Sequence, residues 1–77
     1  MRLTYDPEAD ALYIEVKAVT PVDSRDLEDG VTVDLDEAGR VIGIELLDVQ
    51  KRLGPDALAH ISIDCLPAGP NSRSAPP

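Results

Sequence analysis

The sequence predicts an α+β fold: a small antiparallel β-sheet of four or five strands with a short C-terminal helix packed on one face. Three observations lead there. Apolar and polar residues alternate in several short runs, which is the period of a half-buried strand. The runs are separated by tight stretches rich in Asp, Gly and Pro, so consecutive strands are joined by turns and pair antiparallel. After the last long run the alternation stops at Asp48, and helix start and stop signals follow it.

Met1 to Tyr5 alternates with Leu3 and Tyr5 on one side and Arg2 and Thr4 on the other, giving the first strand. Asp6-Pro7-Glu8-Ala9-Asp10 forms the first turn. Proline sets the φ that the second turn position requires, and the Asp6 carboxylate can accept from the N–H groups that follow. Ala11 to Lys17 is the second strand, with Leu12, Ile14 and Val16 inward and Tyr13, Glu15 and Lys17 outward. Pro21 interrupts the next stretch, so Ala18 to Val22 is expected as an edge strand, and Asp23 to Asp29 is polar apart from Leu27.

Asp29-Gly30 marks a turn, after which Val31, Val33 and Leu35 point inward from a strand over Val31 to Leu35. Asp36-Glu37-Ala38-Gly39 is a hairpin loop with Gly39 at positive φ. Val41 to Leu47 follows with Ile42, Ile44 and Leu46 inward, and Gly43 within it signals a bulge or a close approach. Asp48 stands at a helix N-cap position, Val49 to Leu53 make a short helix, and Gly54-Pro55 end it. Asp56 to His60 add another turn, and Ile61 to Cys65 alternate as a last strand. One domain is expected over residues 1–66, with a disordered tail over 67–77 that has almost nothing to bury.

Composition narrows the function classes. Fifteen acidic residues against seven basic ones give a net charge of −8, which repels phosphate backbones and anionic membranes. Neither a nucleic acid nor a membrane is expected as a partner. The sequence has no apolar run of membrane-spanning length and no basic-then-apolar signal pattern, so a cytoplasmic location is expected. The single Cys65 forms no internal disulfide, which suits a reducing compartment. With two tyrosines and no Phe or Trp, the core rests on Leu, Ile and Val. Self-association, as a homo-oligomer and most simply a homodimer, would supply further burial.

Three blocks now stand out: Tyr5-Asp6-Pro7-Glu8-Ala9-Asp10-Ala11-Leu12-Tyr13-Ile14, then Asp29-Gly30-Val31, then Gly43-Ile44-Glu45-Leu46-Leu47-Asp48. In these blocks the chain resembles the small bacterial proteins grouped as domain of unknown function 2283, from Met1 to about Leu53. The resemblance implies a small sheet followed by a helical segment and brings no established activity. Because some relatives look like partners of toxin-type proteins encoded beside them, it also implies that an antitoxin-like role is open to this chain.

The residues themselves offer both a structural and a functional reading. Tyr5 and Tyr13 bracket the first turn and are expected to pack across the hairpin, while Asp6 and Asp10 cap its backbone groups. The rival is a carboxylate site built from Asp6, Glu8 and Asp10. Asp34-x-Asp36-x-Ala38-Gly39 followed by Glu45 matches a calcium-loop spacing except at Ala38, which has no side-chain oxygen, and its flanks read as strands where such a loop needs helices. His60 and Cys65 are too few ligands for a structural zinc site, and Cys65 lacks an orienting third group for nucleophilic catalysis. Lys51 and Arg52 suit the C-terminal end of the helix dipole.

No residue is assigned a catalytic role, and no cofactor or metal is expected. The sequence is read as a non-enzymatic protein-interaction module whose acidic turns, including Asp26 and Glu28, engage a basic protein partner. The alternative is a small carboxylate-dependent enzyme or metal-binding protein.

Overall fold

The computed structural model describes residues 1–69. Five strands form one sheet: β1 (Arg2–Asp6), β2 (Ala11–Glu15), β3 (Asp23–Glu28), β4 (Val31–Leu35) and β5 (Val41–Leu46). A five-residue helix, α1 (Val49–Leu53), and a 3₁₀ turn, Ala57–Ala59, follow. The fold is therefore the expected α+β arrangement. All pairings are antiparallel, and the strand order is β1-β2-β5-β4-β3. The chain makes two hairpins on the outside and a third, β4–β5, that inserts its second strand beside β2.

The register sorts the two faces. Leu3 stands opposite Ile14, Ile14 opposite Ile44, and Ile44 opposite Val33. A second row runs from Tyr5 through Leu12 and Leu46 to Val31. Directly opposed residues share a face, so these two rows make the apolar side of the sheet. Leu12, Val33, Leu35, Ile42 and Val49 are its buried residues, and Val49 of the helix is the most enclosed. The other face carries Thr4, Tyr13, Glu45, Thr32 and Asp26 in one row and Glu15, Gly43, Asp34 and Ser24 in the next.

Four expectations are corrected. The third strand is Asp23–Glu28, not Ala18 to Val22; it lies at a sheet edge with all six residues exposed, so it needs no apolar alternation to be a strand. Pro21 lies in the irregular connection between β2 and β3, two residues before Asp23, instead of interrupting a strand. Ile61 to Cys65 form no strand; the segment is exposed and has no ladder partner among the described residues. Val16 is 41% exposed, because β2 ends at Glu15 and the N–H groups of Val16 and Lys17 both donate to the Ile42 carbonyl. Asp48 does not cap α1: it sits in the left-handed region at φ 54, where its carboxylate makes no cap hydrogen bond.

The remaining elements stand as expected. Gly54 ends α1 with its N–H donated to the Gln50 carbonyl. Gly39 takes φ +77 in the β4–β5 loop, where Asp36 accepts from the Ala38 and Arg40 N–H groups at 2.9 Å each. The pairing of β4 with β5 shifts register beside Gly43, between Asp34 and Leu35. The expected tail from Pro67 continues into residues 70–77, which lie outside the described residues.

Candidate functional site

The first turn holds its shape by two local hydrogen bonds. Asp6 accepts from the Glu8 N–H at 3.0 Å and the Ala9 N–H at 3.4 Å, the Asx turn that the Asp-Pro pair predicts. The chain then leaves the turn through Asp10 at φ 51, a left-handed conformation that Asp tolerates better than most residues. This twist aims Asp10 toward α1 and away from its own turn.

Asp10 is consequently the organising residue of the first cluster. Its carboxylate accepts from the Tyr5 hydroxyl at 2.7 Å and from the Gln50 backbone N–H at 3.2 Å to each oxygen. Its main-chain carbonyl accepts from the Val49 N–H at 3.1 Å. The first two N–H groups of the helix, which Asp48 leaves without a cap, are thus satisfied by Asp10, a residue of the first hairpin far earlier in the chain. The Gln50 side-chain amide completes the cluster by donating to the Tyr5 oxygen at 3.4 Å. The hydrogen bond to Asp10 raises the Tyr5 phenol above its ordinary value, because ionising it would place two negative charges side by side.

The second cluster lies on the opposite face. Tyr13 stands opposite Thr4, whereas Tyr5 stands opposite Leu12, so the two tyrosines point to different sides of the sheet and do not pack together. This corrects the expected contact across the hairpin. Tyr13 instead reaches across β5 and donates its hydroxyl to Asp34 of β4 at 2.7 Å. Its path crosses Gly43, where an added Cβ would stand 1.8 Å from the Tyr13 oxygen. The close approach expected at Gly43 is therefore an aromatic ring laid over the strand. The Asp34 hydrogen bond, aided by partial burial, pushes the Tyr13 phenol up to about 12.

A third set ties the β3–β4 hairpin to the helix. Arg52 pairs with Glu28 at 3.0 Å, donates to the Leu47 carbonyl at 2.9 Å, and donates to the Asp29 carbonyl. Its guanidinium lies against Gly30, at φ +82, where a Cβ would be 2.5 Å from a guanidinium nitrogen. Arg52 is thus a bracket between two backbone segments, a role that its position near the helix C-terminus did not reveal. Asp26 accepts from the Thr32 hydroxyl at 2.9 Å across the same hairpin.

The remaining sequence candidates are dispersed. Glu8 is exposed in the first turn, at the opposite end of the sheet from Asp36 and Glu37. Asp34 and Asp36 of the calcium-like spacing are engaged by Tyr13 and by loop N–H groups. His60 and Cys65 are both exposed. Among the described residues, no three His, Cys, Asp or Glu side chains come together as a metal-holding group. A shallow groove of about 420 Å³ runs between the β2–β3 connection and the β4–β5 loop, lined by Val19, Thr20, Val22, Asp36, Glu37 and Ala38. No helix among the described residues is long and apolar enough to cross a membrane.

The model of a family described as protein of unknown function (DUF2283) matches residues 2–50 of this chain. The chain belongs to the DUF2283 family. The matched residues contain the whole Tyr5–Asp10–Gln50 cluster and the whole Tyr13–Asp34–Gly43 cluster, while Arg52 lies just beyond them. For this DUF2283 domain the signature block therefore has a definite physical content: it folds the first hairpin, caps the helix and bridges the central strands. No curated protein and no solved structure matches the chain.

Proposed function

We propose that this DUF2283 domain is a non-enzymatic protein-interaction module that self-associates and engages a basic protein partner, a role compatible with an antitoxin-like one. The observation that supports this reading is how the polar groups of the signature are used. Tyr5, Asp6, Asp10 and Tyr13 of the first signature block, with Asp34 of β4 as the Tyr13 acceptor, are each committed to hydrogen bonds that hold backbone or hydroxyl groups of the fold. What is left for a partner is outer surface: two sheet edges, an exposed apolar segment after the 3₁₀ turn, and acidic loops at both ends of the sheet.

The net charge of −8 favours a cationic partner, with an encounter rate that falls as salt rises. Glu8 and Glu37 test the two acidic ends separately, since both are exposed and neither carboxylate is hydrogen-bonded among the described residues. Asp26 and Glu28 are unsuitable for this purpose because Thr32 and Arg52 hold them. Cross-linking in the native cell, followed by identification of the captured protein, gives the partner for the measurement. The reading expects a basic protein whose association at low salt slows with Glu8→Lys or Glu37→Lys. An acidic partner, or association indifferent to both salt and these reversals, would overturn it.

A further inference from the structure

The segment after the 3₁₀ turn has the pattern of a strand without having a ladder. Ile61 and Ile63 alternate with Ser62 and Asp64, yet Ile61 is 60% and Ile63 84% exposed, and the segment is irregular. An apolar alternating segment left in water gains by pairing with an open sheet edge, where one face of the strand is buried and its N–H and C=O groups are satisfied. The sheet has two such edges, β1 and β3.

The two edges differ in what they accept. β3 is guarded: Asp23 and Arg25 stand on the side of Leu35 and Val33, Asp26 stands on the other side, and the pairing is bulged between Asp26 and Glu28. β1 is regular through all five pairs, with Leu3 and Tyr5 on the apolar side and Arg2, Thr4 and Asp6 on the polar side. Leu3 is 41% exposed, as expected of an edge residue waiting for a neighbour.

We propose that two copies of this chain exchange the segment His60 to Asp64, each adding it as an antiparallel sixth strand to the outer edge of β1 of the other copy. This rests on the self-association in the reading above and names its surface. In the register that sets Thr4 opposite Ser62, every pair matches. Leu3 meets Ile63 and Tyr5 meets Ile61 on the apolar face, so the core row is extended outward. On the polar face Arg2 meets Asp64, an opposite-charge pair, Thr4 meets Ser62, two hydroxyls, and Asp6 meets the His60 imidazole, whose N–H can donate to a carboxylate. A parallel arrangement with the same apolar contacts sets Asp64 against Asp6. An antiparallel shift by two residues in either direction separates Asp64 from Arg2. The exchange is reciprocal, so a two-fold axis closes it and both β1 edges are covered at once.

Light scattering across the micromolar range and cysteine trapping together test it. The expected mass is that of a dimer. Arg2→Asp or Asp64→Arg alone weakens dimerisation about tenfold, and the two together restore it, because the pair is re-formed with its signs exchanged. In a Cys65→Ser background, Thr4→Cys with Ser62→Cys yields a disulfide-linked dimer on oxidation. A trapped monomer, in which the segment pairs with β1 of its own chain, would overturn the proposal. So would a dimer indifferent to all of these variants, which leaves self-association intact through another surface. A strictly monomeric mass would overturn both the exchange and the self-association on which it rests.

Discussion

Gly43→Ala is the substitution whose outcome the structure determines most closely. A methyl group at this position would stand 1.8 Å from the Tyr13 oxygen, 2.5 Å from Cζ and 3.2 Å from Cε1, so the ring must leave its place over β5. When it leaves, its 2.7 Å hydrogen bond to Asp34 is lost. A hydrogen bond to a carboxylate contributes about 1.5–3 kcal/mol, whereas replacing glycine by alanine inside a strand returns about 0.5–1 kcal/mol. The net cost is about 1–2 kcal/mol, or a fall in Tm of roughly 5–15 °C for a domain of this size. Thermal and urea unfolding should both show it. The decisive comparison is Gly43→Ala in a Tyr13→Ala background, where no ring opposes the methyl group and the substitution should be neutral or mildly stabilising. If Gly43→Ala costs as much without the tyrosine as with it, the glycine serves the adjacent register shift and the reasoning fails.

Other substitutions test the remaining joints. Asp10→Ala removes the helix cap, the Tyr5 acceptor and a residue suited to φ 51, and should cost about 2 kcal/mol in urea unfolding, while Asp10→Asn should cost under about 1. Arg52→Ala should cost about 1.5–3 kcal/mol, and Glu28→Ala under about 1, because Glu28 is largely exposed and the carbonyl bonds of Arg52 matter more than its ion pair. Gly39→Val meets open space, so its expected loss of about 1–2 kcal/mol comes from the backbone at φ +77 alone. The Tyr13 phenol at about 12, above its ordinary 10.0, stabilises the fold fully below pH 10 and loses that contribution as pH rises from 10 toward 12. Phenolate absorbance should show late ionisation of Tyr13 that moves earlier in Asp34→Asn; an unmoved titration would refute the assignment.

The sequence made legible what depends on neighbours in the chain. Strands β1, β2, β4 and β5 follow from period-2 alternation, and the Asp6 turn, the Gly39 loop and the Gly54 helix end follow from residues whose local conformations are restricted. β3 was misplaced because an edge strand with both faces wet carries no alternation to read. Asp48 misled because cap preference assumes an extended cap backbone, and here the preceding strand delivers a left-handed one. The first cluster was half legible: Asp10 looked like a turn residue, and only the three-dimensional path from its left-handed backbone to Gln50 shows that it caps a helix. Gly43 announced a close approach without naming Tyr13, since the register that brings β2 beside β5 rather than β4 is a long-range choice. Arg52 was hidden for the same reason, its partners Glu28 and Asp29 being on a hairpin reached only through the sheet.

In the proposed reading the carboxylates of this DUF2283 domain serve the fold and its surface and hold no divalent cation. Thermal unfolding at increasing concentrations of calcium, magnesium or manganese tests that most directly, because a ligand that binds the folded state raises Tm by mass action. A flat Tm is expected beyond the weak effect of ionic strength, which an equal ionic strength of sodium chloride should reproduce. A Tm that climbs steadily with one divalent ion, and no longer climbs in Asp34→Asn or Asp36→Asn, would contradict it and place a cation site in the β4–β5 loop.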